Sequence, residues 1–298
     1  MIQLSNKNGV EIPYIGLGTF PLQGKSMSDM ALLALKIGYR LLDTADDYRG
    51  ESGIGSAIKE LDSLGLKRED MFIQTKISSD ASHEDEPFKG IYFTPNSKFM
   101  QRHTVDEIVR EKVVKSLREM NTDYIDSLLI HLPYPGYIVD IWKAMIELKK
   151  EGIVRYIGVS NFNERHIDKL ISETGVTPEI NELYVSPIGI KQDIVDYCNK
   201  HNILVMPYSP LMDVAHGKIS TEKLQPIMTK YKKSLAQIVL RWNVERGCLP
   251  LPKTKNPIRL AENFNIFDFS LTEDEVKLIS SLNIDNQYLV ESKMCPGL

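Results

Sequence analysis

A carboxylate, a phenol and an amine lie at the ends of two neighbouring apolar runs, and together they could move a proton. Asp43 follows Leu41 and Leu42, Tyr48 comes five residues later, and Lys76 lies near the end of the next run, FIQTKI. A carboxylate at the end of a buried strand is unfavourable unless it is paired, and Lys76 is the obvious partner. A neighbouring ammonium favours the phenolate and can lower the pKa of a phenol by roughly 1–3 units. The three residues are therefore predicted to form one site.

More polar side chains fall where later apolar runs pass or end. They are His131, Ser160, Asn161, Asn181, Glu182, Tyr208, Ser209, Lys253 and Thr254. Taken singly, a loop tyrosine is usually a half-buried surface residue, and a histidine after an apolar run is usually a hydrogen-bonded core residue. Their recurrence at strand ends is more specific, because the carboxyl ends of barrel strands open on one face. The pattern predicts a shared active-site mouth.

The elements that must position these residues alternate along the chain. The predicted strands are 14–18, 40–44, 71–77, 124–131, 154–159, 179–184, 203–208 and 248–252. The predicted helices are 27–37, 51–64, 105–120, 137–151, 164–173, 191–200, 221–231, 234–245 and 272–282, with Asn163 and Ser220 as two of the N-caps. Residues 2–5 and 10–13 predict a β-hairpin. An α/β (β/α)8 TIM barrel fits this count better than a doubly wound sheet, and residues 1–298 are predicted to form a single domain.

Composition narrows the class of protein. The 298 residues are 42% hydrophobic, with a formal net charge of −4, and no basic block or long apolar run predicts a nucleic-acid or membrane partner. The N-terminus lacks the features of a signal peptide. The three widely spaced cysteines are typical of reduced thiols and predict neither a disulfide framework nor a zinc site. A cytoplasmic protein, monomeric or weakly dimeric, is expected.

One long connection, residues 78–103, interrupts the alternation. It follows the third predicted strand, so it should overhang the barrel mouth, either as a lid or pocket wall or as a loop without a role. Its run of His83, Glu84, Asp85 and Glu86 is more typical of a solvated acidic turn than of a metal site, and no metal is predicted.

Several segments, in order, resemble the aldo-keto reductase family. They are GYRLLDTADDYRGE, LLIHLPYP, GVSNF, YSPL and LPKTKNPIRLAENFNI, and the likeness covers nearly the whole chain. The resemblance implies a (β/α)8 barrel, NADPH/NADP+ bound without a Rossmann fold, and reduction of a small-molecule aldehyde or ketone. It also implies a catalytic set of Asp43, Tyr48, Lys76 and His131, in which Tyr48 is the acid and His131 orients the carbonyl.

The resemblance also assigns the binding residues. The implied cofactor contacts are Gly18, Thr19, Asp43, Ser160, Asn161, Glu182, Tyr208, Ser209, Leu211, Lys253, Thr254, Arg259, Glu262 and Asn263. Lys253, Thr254 and Arg259 would hold a 2′-phosphate. The implied substrate pocket comprises Phe20, Tyr48, His131 and Leu132, with parts of the insertion and the tail, including Tyr288.

Some positions depart from the family pattern. Glu182 stands where the family usually has Gln, and an ionised carboxylate accepts hydrogen bonds but cannot donate them. Leu132 replaces a common Trp and widens the pocket, and Tyr184 and Ser186 replace a common Glu and His.

Two other functions remain open at this point. One is a catalytically silent, nucleotide-binding regulatory barrel, although such a protein has no need of a lysine beside the phenol. The other is a biosynthetic dehydrogenase that runs the same chemistry as alcohol oxidation. Double-bond reduction is disfavoured because variants that perform it tend to replace the histidine found here as His131.

Overall fold

The computed structural model describes residues 4–7, 10–78, 103–134 and 136–287. Strands β1 (Leu4–Lys7) and β2 (Val10–Pro13) pair antiparallel, which confirms the predicted hairpin. The predictions made for the insertion, including its acidic turn, and for Tyr288 lie outside the described residues.

Seven parallel strands follow the hairpin and form one sheet, each paired with the next along the chain. They are β3 (Gly16–Gly18), β4 (Leu41–Asp43), β5 (Phe72–Ile77), β6 (Ile125–Ile130), β7 (Val154–Ser160), β8 (Ile180–Tyr184) and β9 (Leu204–Tyr208). Helices connect successive strands, as parallel pairing requires. The nearly closed barrel with helices between its strands confirms the predicted fold class.

The eighth barrel position is filled by a segment that is not a regular strand. The prediction of a strand over residues 248–252 is therefore wrong. Its backbone still joins both neighbours, since Leu251 N donates to Pro207 O at 2.9 Å and Gly16 N donates to Pro250 O at 3.1 Å. Pro250 and Pro252 accept hydrogen bonds on the β3 side but have no N–H to return. Half of that ladder is therefore missing, although the barrel closes.

Eleven α-helices lie in the described residues. They are α1 (Gly24–Ile37), α2 (Glu51–Ile58), α3 (Val105–Met120), α4 (Ile138–Lys150), α5 (Glu164–Thr174), α6 (Gln192–Lys200), α7 (Met212–Ala215), α8 (Gln225–Tyr231), α9 (Leu235–Glu245), α10 (Pro257–Phe264) and α11 (Glu273–Ser280). Short 3-10 turns occupy Asp46–Tyr48, Leu61–Leu64 and Arg68–Asp70.

Helix ends show where the sequence prediction worked and where it failed. Asn163 is the predicted N-cap of α5, and its side chain accepts a hydrogen bond from His166 N at 3.1 Å. Ser220 is not a cap, because α8 begins only at Gln225. The predicted helix 51–64 is α2 followed by a separate 3-10 turn.

Alternate residues of each strand face the barrel interior. Along the barrel axis these inward residues change from apolar to polar. Its apolar layer comprises Ile12, Leu41, Phe72, Leu129, Ile180, Leu204, Met206, Leu249 and Leu251. One inward position beyond Leu41 and Phe72 are Asp43 and Gln74, which pair across β4 and β5. Lys76 comes one inward position later on β5. The apolar layer supports a cluster of buried polar residues near the carboxyl ends of the strands.

A buried glutamate joins the first helices to the barrel. Glu51 opens α2, is 1% exposed, and accepts hydrogen bonds from Thr75 Oγ1 at 2.8 Å and Ser116 Oγ at 3.0 Å. Burial raises its pKa to about 7, although both hydroxyls oppose the shift. Between the ordinary pKa of 4.5 and about 7, the native state therefore binds a proton that the unfolded chain has released. The free energy of unfolding falls as the pH rises through this range.

Glu51→Gln is expected to abolish this pH dependence. Since the pKa is raised from 4.5 to about 7, the variant should become more stable than the wild type by up to about 3 kcal/mol as the pH rises from 4 to 8. Urea unfolding at several pH values measures the difference. The exposed Glu60→Gln is the matched control and should show a flat difference. A flat difference for Glu51→Gln as well would contradict the prediction.

Candidate active site

The predicted amine and carboxylate meet inside the barrel. Lys76 Nζ lies 2.6 Å from Asp43 Oδ1 and 3.3 Å from Glu182 Oε2, and it donates to Thr44 O at 2.9 Å. Lys76 is 0% exposed. Burial lowers its pKa, but Asp43 and Glu182 raise it more, so the net pKa is above the ordinary value. Lys76 is therefore a charged ammonium at neutral pH.

Tyr48 reaches the same cluster from the 3-10 turn Asp46–Tyr48. Its ring centroid lies 5.2 Å from Lys76 Nζ, and its hydroxyl lies 3.4 Å from His131 Nε2. The turn is fixed by Asp46, which accepts hydrogen bonds from Lys112 Nζ at 2.5 Å and from Ser78 N at 3.1 Å. The structure thus brings all four predicted catalytic residues together.

The pKa of Tyr48 differs from the expectation. Burial raises it above its ordinary range, and Lys76 opposes the rise. Asp43, Glu182 and Asp47 raise it further. Lys76 lowers the pKa of Tyr48 as expected, but burial is the larger effect, so the net pKa lies above the ordinary value. Tyr48 is held firmly in its protonated form.

His131 is positioned by a residue that the sequence analysis missed. Its Nδ1 lies 2.6 Å from Ser78 Oγ, and Asp47 Oδ1 lies 3.6 Å from the same nitrogen. Burial and the charge of Lys76 lower the pKa of His131 to about 4. The ring is neutral at pH 7, so it offers one N–H donor and one acceptor beside the phenol. Ser78 follows Lys76 by two residues, and strand periodicity could have identified it.

The predicted amide-binding residues form a second hydrogen-bonded group. Asn161 Nδ2 donates to His131 O at 3.3 Å and Ser160 Oγ at 3.0 Å, and Asn161 Oδ1 accepts from Tyr208 OH at 2.9 Å. Ser160 Oγ donates to Glu182 O at 3.2 Å. These contacts link the ends of β7, β8 and β9, so Ser160, Asn161, Glu182 and Tyr208 lie together as predicted.

Ser209 and Leu211 follow β9, in a segment that is anchored by Tyr184 and Ser186. These are the two departures from the family pattern at and just after the end of β8. Tyr184 OH and Ser186 Oγ both donate to Asp213 Oδ2, the latter at 2.6 Å. Asp213 belongs to α7 and is fully buried. The departures at Tyr184 and Ser186 therefore have a common structural consequence, which is to tie α7 to β8.

The remaining cofactor predictions fall on and before α10. Lys253 and Arg259 are exposed, and Thr254 is buried. Burial and the neighbouring charge of Lys255 lower the pKa of Lys253. An anion relieves the repulsion between the two ammonium groups, so the segment before α10 suits a phosphate.

Glu262 and Asn263 lie within α10. The Glu262 carboxylate accepts a hydrogen bond from Ser234 Oγ, the cap of α9, and Asn263 is buried. Both residues therefore follow the Lys253–Thr254 segment along the chain, and Glu262 also has this structural bond.

Two of the predicted pocket residues, Phe20 and His131, lie beside the phenol. Phe20 is 60% exposed, and its ring centroid lies 5.0 Å from that of Tyr48. Leu132, next to His131, is partly buried. At β3, an added Cβ on Gly18 would lie 3.0 Å from Leu251 O, and Thr19 is fully buried. An apolar wall thus stands beside two groups that can hydrogen-bond a substrate oxygen.

Comparison with known proteins identifies the family. A model of the Aldo/keto reductase family matches residues 14–284. The chain belongs to the aldo/keto reductase family. It is 35% identical over 279 residues to the methylglyoxal reductase DkgA of Escherichia coli, covering 93% of this chain and 92% of that protein. It is 34% identical over 282 residues to the glyoxal reductase of Bacillus subtilis, covering 94% and 92%.

Solved structures agree with this assignment. The Bombyx mori aldo-keto reductase in complex with NADP is 31% identical, with a TM-score of 0.81, and the match covers 98% of this chain and 95% of that one. An aldo/keto reductase from Brucella melitensis is 34% identical, with a TM-score of 0.80, covering 95% and 100%. The family and its reductases support an oxidoreductase that reduces carbonyl groups.

Membrane-spanning helices and metal clusters are both absent from the residues that the structure describes. Those residues contain no helix with the length and apolar character needed to span a membrane. Among them, no three His, Cys, Asp or Glu side chains come together as a metal site would need.

Proposed function

We propose that this chain is an NADPH-dependent reductase that converts an aldehyde or ketone to an alcohol, with Tyr48 as the general acid. The position of Lys76 carries the proposal. Its ammonium has no exposed surface, is fixed by Asp43 at 2.6 Å, and lies 5.2 Å from the Tyr48 ring centroid. A charged amine buried behind a phenol at the open end of a barrel is an arrangement for proton donation.

Tyr48 holds the proton that the product oxygen needs. Its raised pKa keeps the phenol protonated at neutral pH, so the acid is always loaded. As negative charge develops on a substrate oxygen, the proton moves from the phenol to that oxygen. Lys76 then stabilises the phenolate that remains, which is an interaction stronger in the transition state than in the ground state.

His131 orients the substrate oxygen. It stays neutral at pH 7, because its pKa is about 4, and it lies 3.4 Å from the Tyr48 hydroxyl. A neutral imidazole does not compete with Tyr48 to donate its proton, but it can hydrogen-bond the same oxygen. Two groups that converge on one oxygen fix the carbonyl for attack.

The residues present fit a nicotinamide cofactor. Ser160 and Asn161, beside Tyr208, offer donors and acceptors for the carboxamide, and Tyr208 offers a face on which a ring can stack. Lys253 and Arg259 suit the 2′-phosphate that distinguishes NADPH from NADH. When bound, the reduced nicotinamide supplies the hydride that no side chain can provide.

Small aldehydes are the substrates to test first. Relatives with 34–35% identity are named for glyoxal and methylglyoxal. The phenol of this chain is flanked by the apolar ring of Phe20, and the polar contacts near it come from His131. We therefore propose 2-oxoaldehydes as the first substrate class.

The test is consumption of NADPH, followed by its absorbance, with glyoxal, methylglyoxal and a panel of simple aldehydes and ketones. Turnover should be saturable and NADPH-dependent. NADPH binding without turnover of any carbonyl would overturn the proposal in favour of a nucleotide-binding regulatory barrel. Turnover only from alcohols with NADP+ would favour a dehydrogenase.

Lys253→Ala and Arg259→Ala are each expected to weaken NADPH binding about tenfold or more and to change NADH binding by less than about threefold. A charge-assisted contact contributes roughly 1.5–3 kcal/mol, and NADH lacks the phosphate that would make it. Fluorescence titration measures both affinities. Lys36→Ala removes an exposed lysine at the end of α1 and serves as the control. Equal losses for the two cofactors would rule out the phosphate assignment.

A further inference from the structure

We propose that Glu182 carries a proton in the resting protein, hydrogen-bonded toward Asp43, so that it serves as a neutral side chain at the nicotinamide carboxamide. The protonation concerns this chain alone, and the role at the carboxamide rests on the proposed function. A neutral glutamic acid has the shape of glutamine and both donates and accepts hydrogen bonds.

The two carboxyl groups are brought together by shared donors. Lys76 Nζ lies 2.6 Å from Asp43 Oδ1 and 3.3 Å from Glu182 Oε2. Gln74 Nε2 donates to the same two oxygens, at 2.9 Å and 2.8 Å. Both hydrogens of the Gln74 amide are thereby used, and its Oε1 is buried without a partner among the described residues. The geometry is that of a carboxyl pair.

The pair has one cation for two acids. Asp43 is 4% exposed, Glu182 2% and Lys76 0%, so water screens none of them well. If both acids were ionised, one buried negative charge would remain uncompensated, which costs several kcal/mol. Binding one proton removes that charge. Lys76 lies closer to Asp43, so the proton belongs on Glu182.

Among the described residues, the other elements around Glu182 supply no second cation. Across the sheet, β7 places Ser160 opposite it and β9 places Met206 opposite it. The 3-10 turn contributes Tyr48, whose pKa is itself raised in part by Glu182. Burial and then Asp43 raise the pKa of Glu182 well above its ordinary value, and Lys76 only partly offsets them.

A neutral Glu182 resolves two features of the site. It removes one of the carboxylates that oppose the negative charge developing on Tyr48. It also leaves Lys76 with a single counter-ion, Asp43. The proton belongs on Oε2, the Glu182 oxygen that shares Lys76 and Gln74 with Asp43, so Oε1 is the carbonyl oxygen that would accept a hydrogen bond from an amide, as a glutamine would.

Infrared spectroscopy of the cofactor-free protein at pH 7 tests the proton directly. The difference spectrum between the wild type and Glu182→Gln should contain the C=O band of a protonated carboxyl group. Glu179→Gln, a partly exposed glutamate that pairs with Lys149 at 2.7 Å, is the control and should give no such band. Absence of the band from the Glu182 difference would overturn the proposal.

A second variant tests the competition for Lys76. In Asp43→Asn, Glu182 becomes the only acid of the described part of the chain in contact with Lys76, so it should ionise and the protonated-carboxyl band should disappear. Persistence of the band in this variant would show that Asp43 does not control the proton, and would overturn the shared pair.

NADPH affinity gives an independent readout. Glu182→Gln should bind NADPH within about threefold of the wild type at pH 7. Above the titration of Glu182, the wild type should lose affinity by up to about tenfold per pH unit while the variant stays flat. If the wild type bound NADPH tenfold more weakly than Glu182→Gln already at pH 7, Glu182 would be ionised there and the proposal would be overturned. If neither protein binds NADPH, the proposed cofactor fails, while the infrared band still decides the proton.

Discussion

Replacing Tyr48 with phenylalanine is expected to lower kcat/KM for carbonyl reduction by about 10²–10⁴-fold, the usual contribution of a positioned general acid. Phenylalanine keeps the ring that packs against Phe20 at a centroid distance of 5.0 Å and that faces Lys76 at 5.2 Å. It removes only the hydroxyl, which lies 3.4 Å from His131. Steady-state consumption of NADPH measures the loss. NADPH affinity should change by less than about threefold, because Tyr48 is not a predicted cofactor contact.

The matched control is Tyr231→Phe. That hydroxyl bonds Glu275 at 2.8 Å and lies outside the predicted site, so the variant should keep nearly full activity. If Tyr48→Phe retained more than about a tenth of the wild-type kcat/KM, another group or water would be the proton donor. His131 would then be the first alternative to test, since it is the neighbouring group that can hydrogen-bond the same oxygen.

The polar cluster could be predicted because strand periodicity and sequence order were enough. In FIQTKI, the inward residues are Phe72, Gln74 and Lys76, so the change from apolar to charged along the strand can be read from residue types alone. The same rule applied to Gln74 and Ser78 would have placed them in the site. They were missed because neither is charged, and an uncharged polar residue is a weaker signal of chemistry than a titratable one.

Two local errors also had signals in the sequence. Pro250 and Pro252 alternate within the predicted eighth strand, and proline removes a ladder donor, so an irregular strand was foreseeable. Helix α10 was not predicted, although Asn256 followed by Pro257 is a strong helix start, and the Asn256 side chain accepts from Ile258 N at 2.8 Å and Arg259 N at 3.2 Å. The same residues belong to the family motif, which was interpreted only for its side-chain chemistry.

The pKa of Tyr48 could not be predicted from sequence order. The sequence supplies Lys76, Asp43 and Asp47 as neighbours, but the largest contribution that opposes Lys76 comes from burial, and another comes from Glu182. Glu182 lies more than a hundred positions away along the chain. Electrostatic balance in a buried site depends on distances in the fold, and small changes in them alter which charge dominates.

Replacing Lys76 with methionine is expected to lower the free energy of unfolding by about 3–5 kcal/mol at pH 7, because removing one partner of a buried ion pair leaves an uncompensated charge. Methionine approximates the length of the lysine stem, so the loss comes from the ammonium 2.6 Å from Asp43 and less from packing. The buried carboxylate then has no counter-ion, and only binding a proton removes its charge. The destabilisation should be largest at neutral and alkaline pH and should shrink as the pH falls and the acid binds a proton.

Urea unfolding of Lys76→Met between pH 4 and 8 measures the loss of unfolding free energy and the direction in which it changes with pH. Lys76→Met combined with Asp43→Asn should recover part of the lost stability, since the double variant buries neither charge of the pair. Lys230→Met, whose lysine is 52% exposed and pairs with Glu275 at 2.8 Å, is the control and should change stability little, since exposed ion pairs contribute little. A Lys76→Met variant as stable as this control at pH 7 would mean that Asp43 does not depend on the ammonium. The proposed support of Tyr48 by a fixed, buried charge would then fail with it.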